Sequence, residues 1–265
     1  MKQTQKDNLQ VPDFKTELLG NNLPANYALF YPCCGNDIFD AISYFHSIVD
    51  TFFFCDTNRC VINSVTHRQI KEILPDFDLV KSFEEYIWKT NERPNRREDI
   101  EPPLYQKTSK KLTQIWRNEK KNKDISIIRV VGDGYEIFTN DGLLKKIAIF
   151  FYRGDSYSEG GSDVRWLETK NDESLHGGRG KHFDIVLQKI TNKGLIVTDG
   201  SNHGKEFHFF RQYCNSINRI GREFVDKVTK DGYTFNCVGK ITPRYGPTLV
   251  WQIETETDLR EDVSR

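Results

Sequence analysis

An α/β fold in three layers, with a mostly parallel sheet and a C-terminal antiparallel hairpin, is what the sequence predicts. Three observations carry that expectation. Apolar runs that read as strands recur at Tyr27–Tyr31, Thr51–Cys55, Ile147–Tyr152 and Leu195–Thr198, and those at Thr51–Cys55 and Ile147–Tyr152 read as buried on both faces. Between the first two, Ile38, Ala41, Ile42, Phe45 and Ile48/Val49 return at helical spacing. Near the end, Tyr233–Ile241 and Thr248–Ile253 flank a turn bounded by Pro243 and Pro247, as two antiparallel strands do.

The 265 residues suit a single domain, with a polar lead-in over 1–22, a charged insertion or long loop over 91–123 and a charged tail over 254–265. Apolar residues are only 37 %, but 18 are Phe, so the core is built from few, large side chains. Lys plus Arg equals Asp plus Glu at 38 each, which excludes a global field drawing the chain to nucleic acid or an anionic membrane. The N-terminus has no apolar signal core, and no apolar run approaches the ~18 residues that span a bilayer, so neither a signal peptide nor a membrane helix is expected and the expected address is the cytoplasm. Nothing in the pattern indicates an oligomeric state.

In chain order, Pro12–Leu19 reads as a short helix, and Pro32 closes the first strand because it lacks a backbone donor. After the turn at Cys33-Cys34-Gly35, Asn36 or Asp37 is placed to cap the first helix. Helical spacing recurs over Ser64–Leu74, broken by Pro75, and over Ser82–Thr90. A further helix is expected around Thr108–Asn118. Its neighbourhood holds the basic run Lys107, Lys110, Lys111, Arg117, Lys120, Lys121 and Lys123 against Glu119, which is either a solvated face or a phosphate or nucleic-acid contact. Ile125–Val131 and Tyr135–Thr139 across Gly132-Asp133-Gly134 read as a hairpin. Phe183–Ile190 reads as a helix closed by Lys193-Gly194, and Ile217–Thr229 as another with Gly232 at its end.

Six cysteines, Cys33, Cys34, Cys55, Cys60, Cys214 and Cys237, form no CxxC pair and read as reduced thiols serving as small hydrophobes. A zinc site would need Cys33, Cys34, Cys55 and Cys60 brought together by adjacent first and second strands, and no metal is expected.

Chemistry is concentrated at the carboxyl ends of the strands. Asp56 closes the second strand, where an acid either accepts from ribose hydroxyls or shapes its own turn. After Tyr152 comes Arg153-Gly-Asp-Ser-Tyr-Ser-Glu-Gly-Gly-Ser162, in which Asp155 and Glu159 are candidate proton acceptors and Arg153 a bidentate partner for an anion. Ser156 and Ser162 there, with Asp199, Asn202 and His203 after the Leu195–Thr198 strand, are candidate substrate contacts. Ser156, His203 and Asp199 make a nucleophilic trio on paper, but no G-x-S-x-G elbow exposes the hydroxyl. Tyr152-Arg153-Gly154 invites an ADP-ribosyltransferase reading, though the acids that should follow are missing.

The order of strand, helix, strand with terminal acid, helices, strands, the strand Lys193–Asp199, helix and closing hairpin resembles the class I S-adenosylmethionine-dependent methyltransferase superfamily, over roughly residues 25–255. The resemblance implies a Rossmann-like fold and S-adenosylmethionine as cofactor. It also implies a turn after the first strand of the type acid-x-Gly-x-Gly-x-Gly; here Tyr31 stands at the acid position, Cys33 at the first glycine, Gly35 at the second and Asp37 at the last. Tyr31, Cys33, Gly35, Asp37 and Asp56 are thereby implied as cofactor contacts, and Asp155, Glu159 and Arg153 as the catalytic loop. The implied function is methyl transfer to an unidentified acceptor. The alternative is a non-catalytic module of the same kind that binds a nucleotide or a protein partner.

Overall fold

A computed structural model describes residues 11–19, 27–91, 106–139, 144–152, 181–198, 227–230, 232–242 and 248–255. The strands are β1 (Ala28–Pro32), β2 (Thr51–Asp56), β3 (Asp78–Asn91), β4 (Gln106–Asn118), β5 (Lys123–Val131), β6 (Ile147–Tyr152), β7 (Ile190–Thr198), β8 (Lys227–Lys230), β9 (Tyr233–Ile241) and β10 (Thr248–Thr255). They make one ten-stranded sheet in the order β3-β4-β5-β2-β1-β6-β7-β10-β9-β8. The described helices are α1 (Phe39–Phe45), α2 (Cys60–Asn63), α3 (His67–Ile73), α4 (Gly134–Thr139) and α5 (Lys181–Lys189).

The expectation of a three-layer, Rossmann-like, mostly parallel sheet is overturned. Among the described strands, parallel ladders join only the five central strands β5, β2, β1, β6 and β7, while the other ladders, five of nine, are antiparallel; a single isolated parallel bridge links Asp13 to Lys240 of β9. The sheet is therefore mixed, and the described helices, at four to nine residues, are too short to form the continuous helical layers expected of that class.

The central strands are built from aromatic residues that pack on both faces. Leu29, Tyr31, Phe52, Phe54 and Phe151 join the α1–α3 residues Ala41, Ile42, Phe45, Val61 and Ile70 in one cluster. Ala28, Phe30, Phe53, Phe150 and Tyr152 join Phe138 of α4 and Phe183 and Val186 of α5 in the other. Phe30 stacks on Phe138 with ring centroids 4.5 Å apart, an offset that adds to the burial of both rings.

Local chemistry explains where the elements start. Thr66 caps α3 in a reciprocal capping box with Gln69. Ile38 stands at the N-cap of α1 with no side-chain cap, and Asp37 instead accepts a hydrogen bond from the Tyr31 hydroxyl at 3.3 Å. The expected short helix near Leu19 is a 3-10 turn over Thr16–Leu19.

Four further expectations fail. Ser82–Thr90 and Thr108–Asn118 are not helices but β3 and β4, paired antiparallel. Charges match across this ladder: Glu85 pairs with Lys111 directly opposite, and Glu84 reaches Lys110 diagonally. Tyr135–Thr139 is not a strand: Asp133 Oδ1 accepts from the amides of Tyr135 at 2.8 Å and Glu136 at 3.1 Å and so caps α4. Lys193-Gly194 does not close a helix; both residues lie within β7, where a Cβ on Gly194 would come within 2.7 Å of the Thr191 carbonyl oxygen. Of the helix expected over Ile217–Thr229, residues 217–226 lie outside the described residues and 227–229 belong to β8; Gly232, with φ 80°, stands just before β9.

Candidate functional site

Chain order reverses at β1. From β1 the chain moves to β2 and on to β5, then returns to β6 on the other side of β1. In sheets of this kind the carboxyl ends of the strands flanking such a point diverge and leave a crevice.

Three strand ends are stitched together there by Asp56. Its Oδ2 accepts from the Gly35 amide at 2.8 Å, its Oδ1 from the Asn58 amide at 2.7 Å, and its carbonyl from the Gly132 amide at 2.9 Å. The Asn58 side chain then accepts from the Cys60 amide at 3.0 Å and starts α2. The turn-shaping reading of Asp56 is the one these bonds show; its two oxygens, with about four lone-pair directions, still leave acceptor capacity.

The turn after β1 departs from a glycine-rich one in a specific way. Cys33 has φ 54° and Gly35 φ 55°, so a side chain is carried in the left-handed region at Cys33. A Cβ on Gly35 would meet nothing within 4 Å; the glycine supplies conformation and leaves open space over the backbone. Tyr31 is only 3 % exposed, with its ring 4.8 Å from that of Phe151, so it belongs to the core rather than to the crevice. Asp37 is half-buried and held by Tyr31.

Cys34 and Cys55 lie side by side under this rim, with the Cys34 amide donating to the Cys55 carbonyl at 3.2 Å. Burial pushes both thiols well above the usual range; in Cys34 the neighbouring Cys55 adds to the effect, in Cys55 the neighbouring Cys33. Cys60 is raised as well, first by desolvation and then by Asp56. Cys34, Cys55 and Cys60 are free thiols, and although β1 and β2 are neighbours, no group of three or more His, Cys, Asp or Glu among the described residues is placed to hold a metal ion.

Beside the rim, a groove of about 280 Å³ is lined by Arg59, Ile62, Asn63, Tyr86, Lys110 and Val131. It offers a guanidinium, an ammonium paired with Glu84 at 2.7 Å, a Tyr ring and an apolar floor. Sequence reasoning missed this groove. Its members come from the segment after β2, from α2, β3 and β4, and from the end of β5, and Tyr86 stood in a stretch read as helical. Lys110 was the only visible signal, as part of the basic run.

Four of the cations of that run are paired with carboxylates. Lys110 and Lys111 pair with Glu84 and Glu85, Arg117 holds Asp124 through two bonds of 2.7 and 2.8 Å, and Lys123 lies 3.0 Å from Asp50. Arg153, Asp155, Ser156, Glu159, Ser162, Asp199, Asn202 and His203 lie outside the described residues. No helix among the described residues is long and apolar enough to cross a membrane.

No protein-family model matches the chain, and no curated protein matches it in sequence.

Proposed function

We propose that the protein binds a nucleotide-type small molecule at the carboxyl ends of β1, β2 and β5, and that, as the family resemblance implies, this ligand is S-adenosylmethionine and the reaction is methyl transfer. The observation that carries the reading is the Gly35–Asp56 bond of 2.8 Å at the point of strand reversal, because it sets an open backbone turn and a carboxylate on one rim. Asp56 is the acceptor for the ribose hydroxyls and Gly35 the point of close approach. On sequence grounds Asp155, Glu159 and Arg153 orient the methyl acceptor, since such a reaction is accelerated chiefly by positioning. Two buried free thiols, Cys34 and Cys55, support a reducing compartment, the cytoplasm.

A second reading, a non-catalytic binding module, is favoured by the degree to which the rim is closed on itself. Both Asp56 oxygens already hold backbone amides, and Asp37 is engaged by Tyr31. Thermal shift with S-adenosylmethionine, S-adenosylhomocysteine, NAD and free nucleotides separates the two. A ligand present at 100 times its dissociation constant adds ~2.7 kcal/mol to stability. Stabilisation by both S-adenosylmethionine and its demethylated product S-adenosylhomocysteine is expected; its absence at millimolar concentration sinks the methyl-transfer reading, and stabilisation by nucleotides alone supports the second.

A further inference from the structure

Among the described residues, the large apolar side chains left exposed are Val80 at 50 %, Phe83 at 37 % and Tyr86 at 72 %, and all three lie on β3, the outermost strand at one end of the sheet. An outer strand carries a row of backbone donors and acceptors with no partner strand on its free side. Irregularities between Leu79 and Lys81 and between Tyr86 and Trp88 bend β3 at both ends of this stretch. Between them Lys81–Tyr86 pairs regularly with Ile115–Lys110. The exposed apolar residues therefore sit on or beside the straight part of the edge, the part able to accept another strand.

The order of residues on that edge is self-complementary in one register. Two identical edges related by a two-fold axis perpendicular to the sheet run antiparallel with the same face upward, so a residue can stand opposite only one whose side chain points to the same face. Within the straight run this allows centres on Ser82, Phe83, Glu84 or Glu85. Centring on Ser82 sets the Lys81 ammonium against the Phe83 ring and Val80 against Glu84. Centring on Glu84 or on Glu85 sets two like carboxylates opposite each other, which is destabilising. Centring on Phe83 sets Phe83 against Phe83, Lys81 against Glu85 and Ser82 against Glu84, and brings Val80 level with Tyr86.

The geometry points to β3 as the contact of an isologous dimer, paired antiparallel with β3 of a second copy of this chain in the register centred on Phe83. Lys81, whose ammonium lies 4.9 Å from the Phe83 ring centroid, then faces Glu85 of the other copy, and Glu85, already bonded to Lys111, sits between two ammonium groups. Tyr86 lines the groove of about 280 Å³, so the edge of the second copy forms a wall beside it.

Light scattering on the full chain across concentrations up to ~100 μM tests the association, with a mass of twice the 31.0 kDa chain expected. Phe83→Lys sets two ammonium groups face to face and should return the monomer with an unchanged circular dichroism spectrum. Opposed residues in an antiparallel pair have Cα atoms about 4.5–5.5 Å apart, within disulfide range, so Phe83→Cys should give a covalent dimer on mild oxidation. Ser82→Cys alone and Glu84→Cys alone should not, whereas a mixture of those two variants should. A wild-type chain that stays monomeric, its edge left for some other partner, overturns the proposal. So does a dimer indifferent to Phe83→Lys, or one that cross-links through Ser82→Cys alone in preference to Phe83→Cys.

Discussion

Arg129 Nη2 donates to Gln114 Oε1 across 2.9 Å, joining β5 to β4 at a place where neither side chain exceeds 1 % exposure. The other guanidinium contacts are neutral as well: Nη1 faces the carbonyls of Val61 and Ile62 at 3.3 Å and of Val65 at 3.1 Å, so this arginine closes the C-terminal end of α2. Burial pulls its pKa down to about 10, the cost of desolvating a cation paired only with dipoles. Two effects compete in Arg129→Met, because removing the charge relieves that desolvation but leaves four oxygens without their donor. Unsatisfied buried acceptors cost about 1–3 kcal/mol each, so a net loss of about 1–3 kcal/mol is expected. Urea unfolding at neutral pH measures it, and a raised midpoint would mean that desolvation dominates.

Asp56→Ala removes the acceptor for the Gly35 and Asn58 amides at once. Hydrogen bonds to a charged group contribute about 1.5–3 kcal/mol when buried, and the Asn58 bond is exposed, so a combined loss of about 2 kcal/mol is expected. Asp56→Asn keeps one acceptor oxygen and should lose about half as much. Denaturant midpoints of the three proteins decide this, and three equal midpoints would remove Asp56 from the structural role described above.

Cys34 and Cys55 should stay unmodified by a thiol reagent in the native protein, while the half-buried Cys33, Cys60 and Cys237 are more accessible. Their pH dependence has a definite sign. The folded pKa of each buried thiol lies above the reference value of 9.0, so the folded state keeps protons that the unfolded chain gives up. Their contribution to stability is full below about pH 9 and is lost as pH rises beyond it toward the folded values. Urea midpoints at pH ~8 and ~10 should fall more in the wild type than in Cys55→Ala. Parallel declines in the two proteins would contradict the assignment.

Gly239→Ala should detach the N-terminal segment from β9. A Cβ at Gly239, where φ is 149°, would lie 2.7 Å from Phe14 Cα and 2.9 Å from its amide nitrogen. The same segment is bonded to Lys240 by its Phe14 amide at 2.7 Å and its Pro12 carbonyl at 2.9 Å. A loss of about 1–3 kcal/mol is expected, read as a melting temperature lowered by roughly 2–4 °C for each kcal/mol. An unchanged melting temperature would mean that the Pro12–Phe14 pairing adds no stability.

Long apolar runs buried on both faces were legible because their burial depends on composition alone: β1, β2 and β6 stand within a residue of where Tyr27–Tyr31, Thr51–Cys55 and Ile147–Tyr152 placed them. Amphipathic α1 was legible for the same reason, since Ala41, Ile42 and Phe45 all face the core. The β3–β4 ladder was not, because Phe83 and Tyr86 recur at a spacing that also suits a helix, and strand is settled only by pairing of β4 with β3 and β5, between residues distant in the chain. In the candidate site, Gly35 and Asp56 could be named from the sequence, but the bond between them could not.

By itself, then, the sequence determined the aromatic central strands and a carboxylate at the end of β2, since hydrophobic burial and strand termination are local properties of residue order. Only the tertiary structure decided that the sheet is mixed, that Arg129 lies inside it with neutral partners, and that Arg59, Tyr86 and Lys110 share one groove. Each of those depends on which strands become neighbours, and neighbours are chosen by pairing between residues distant in the chain.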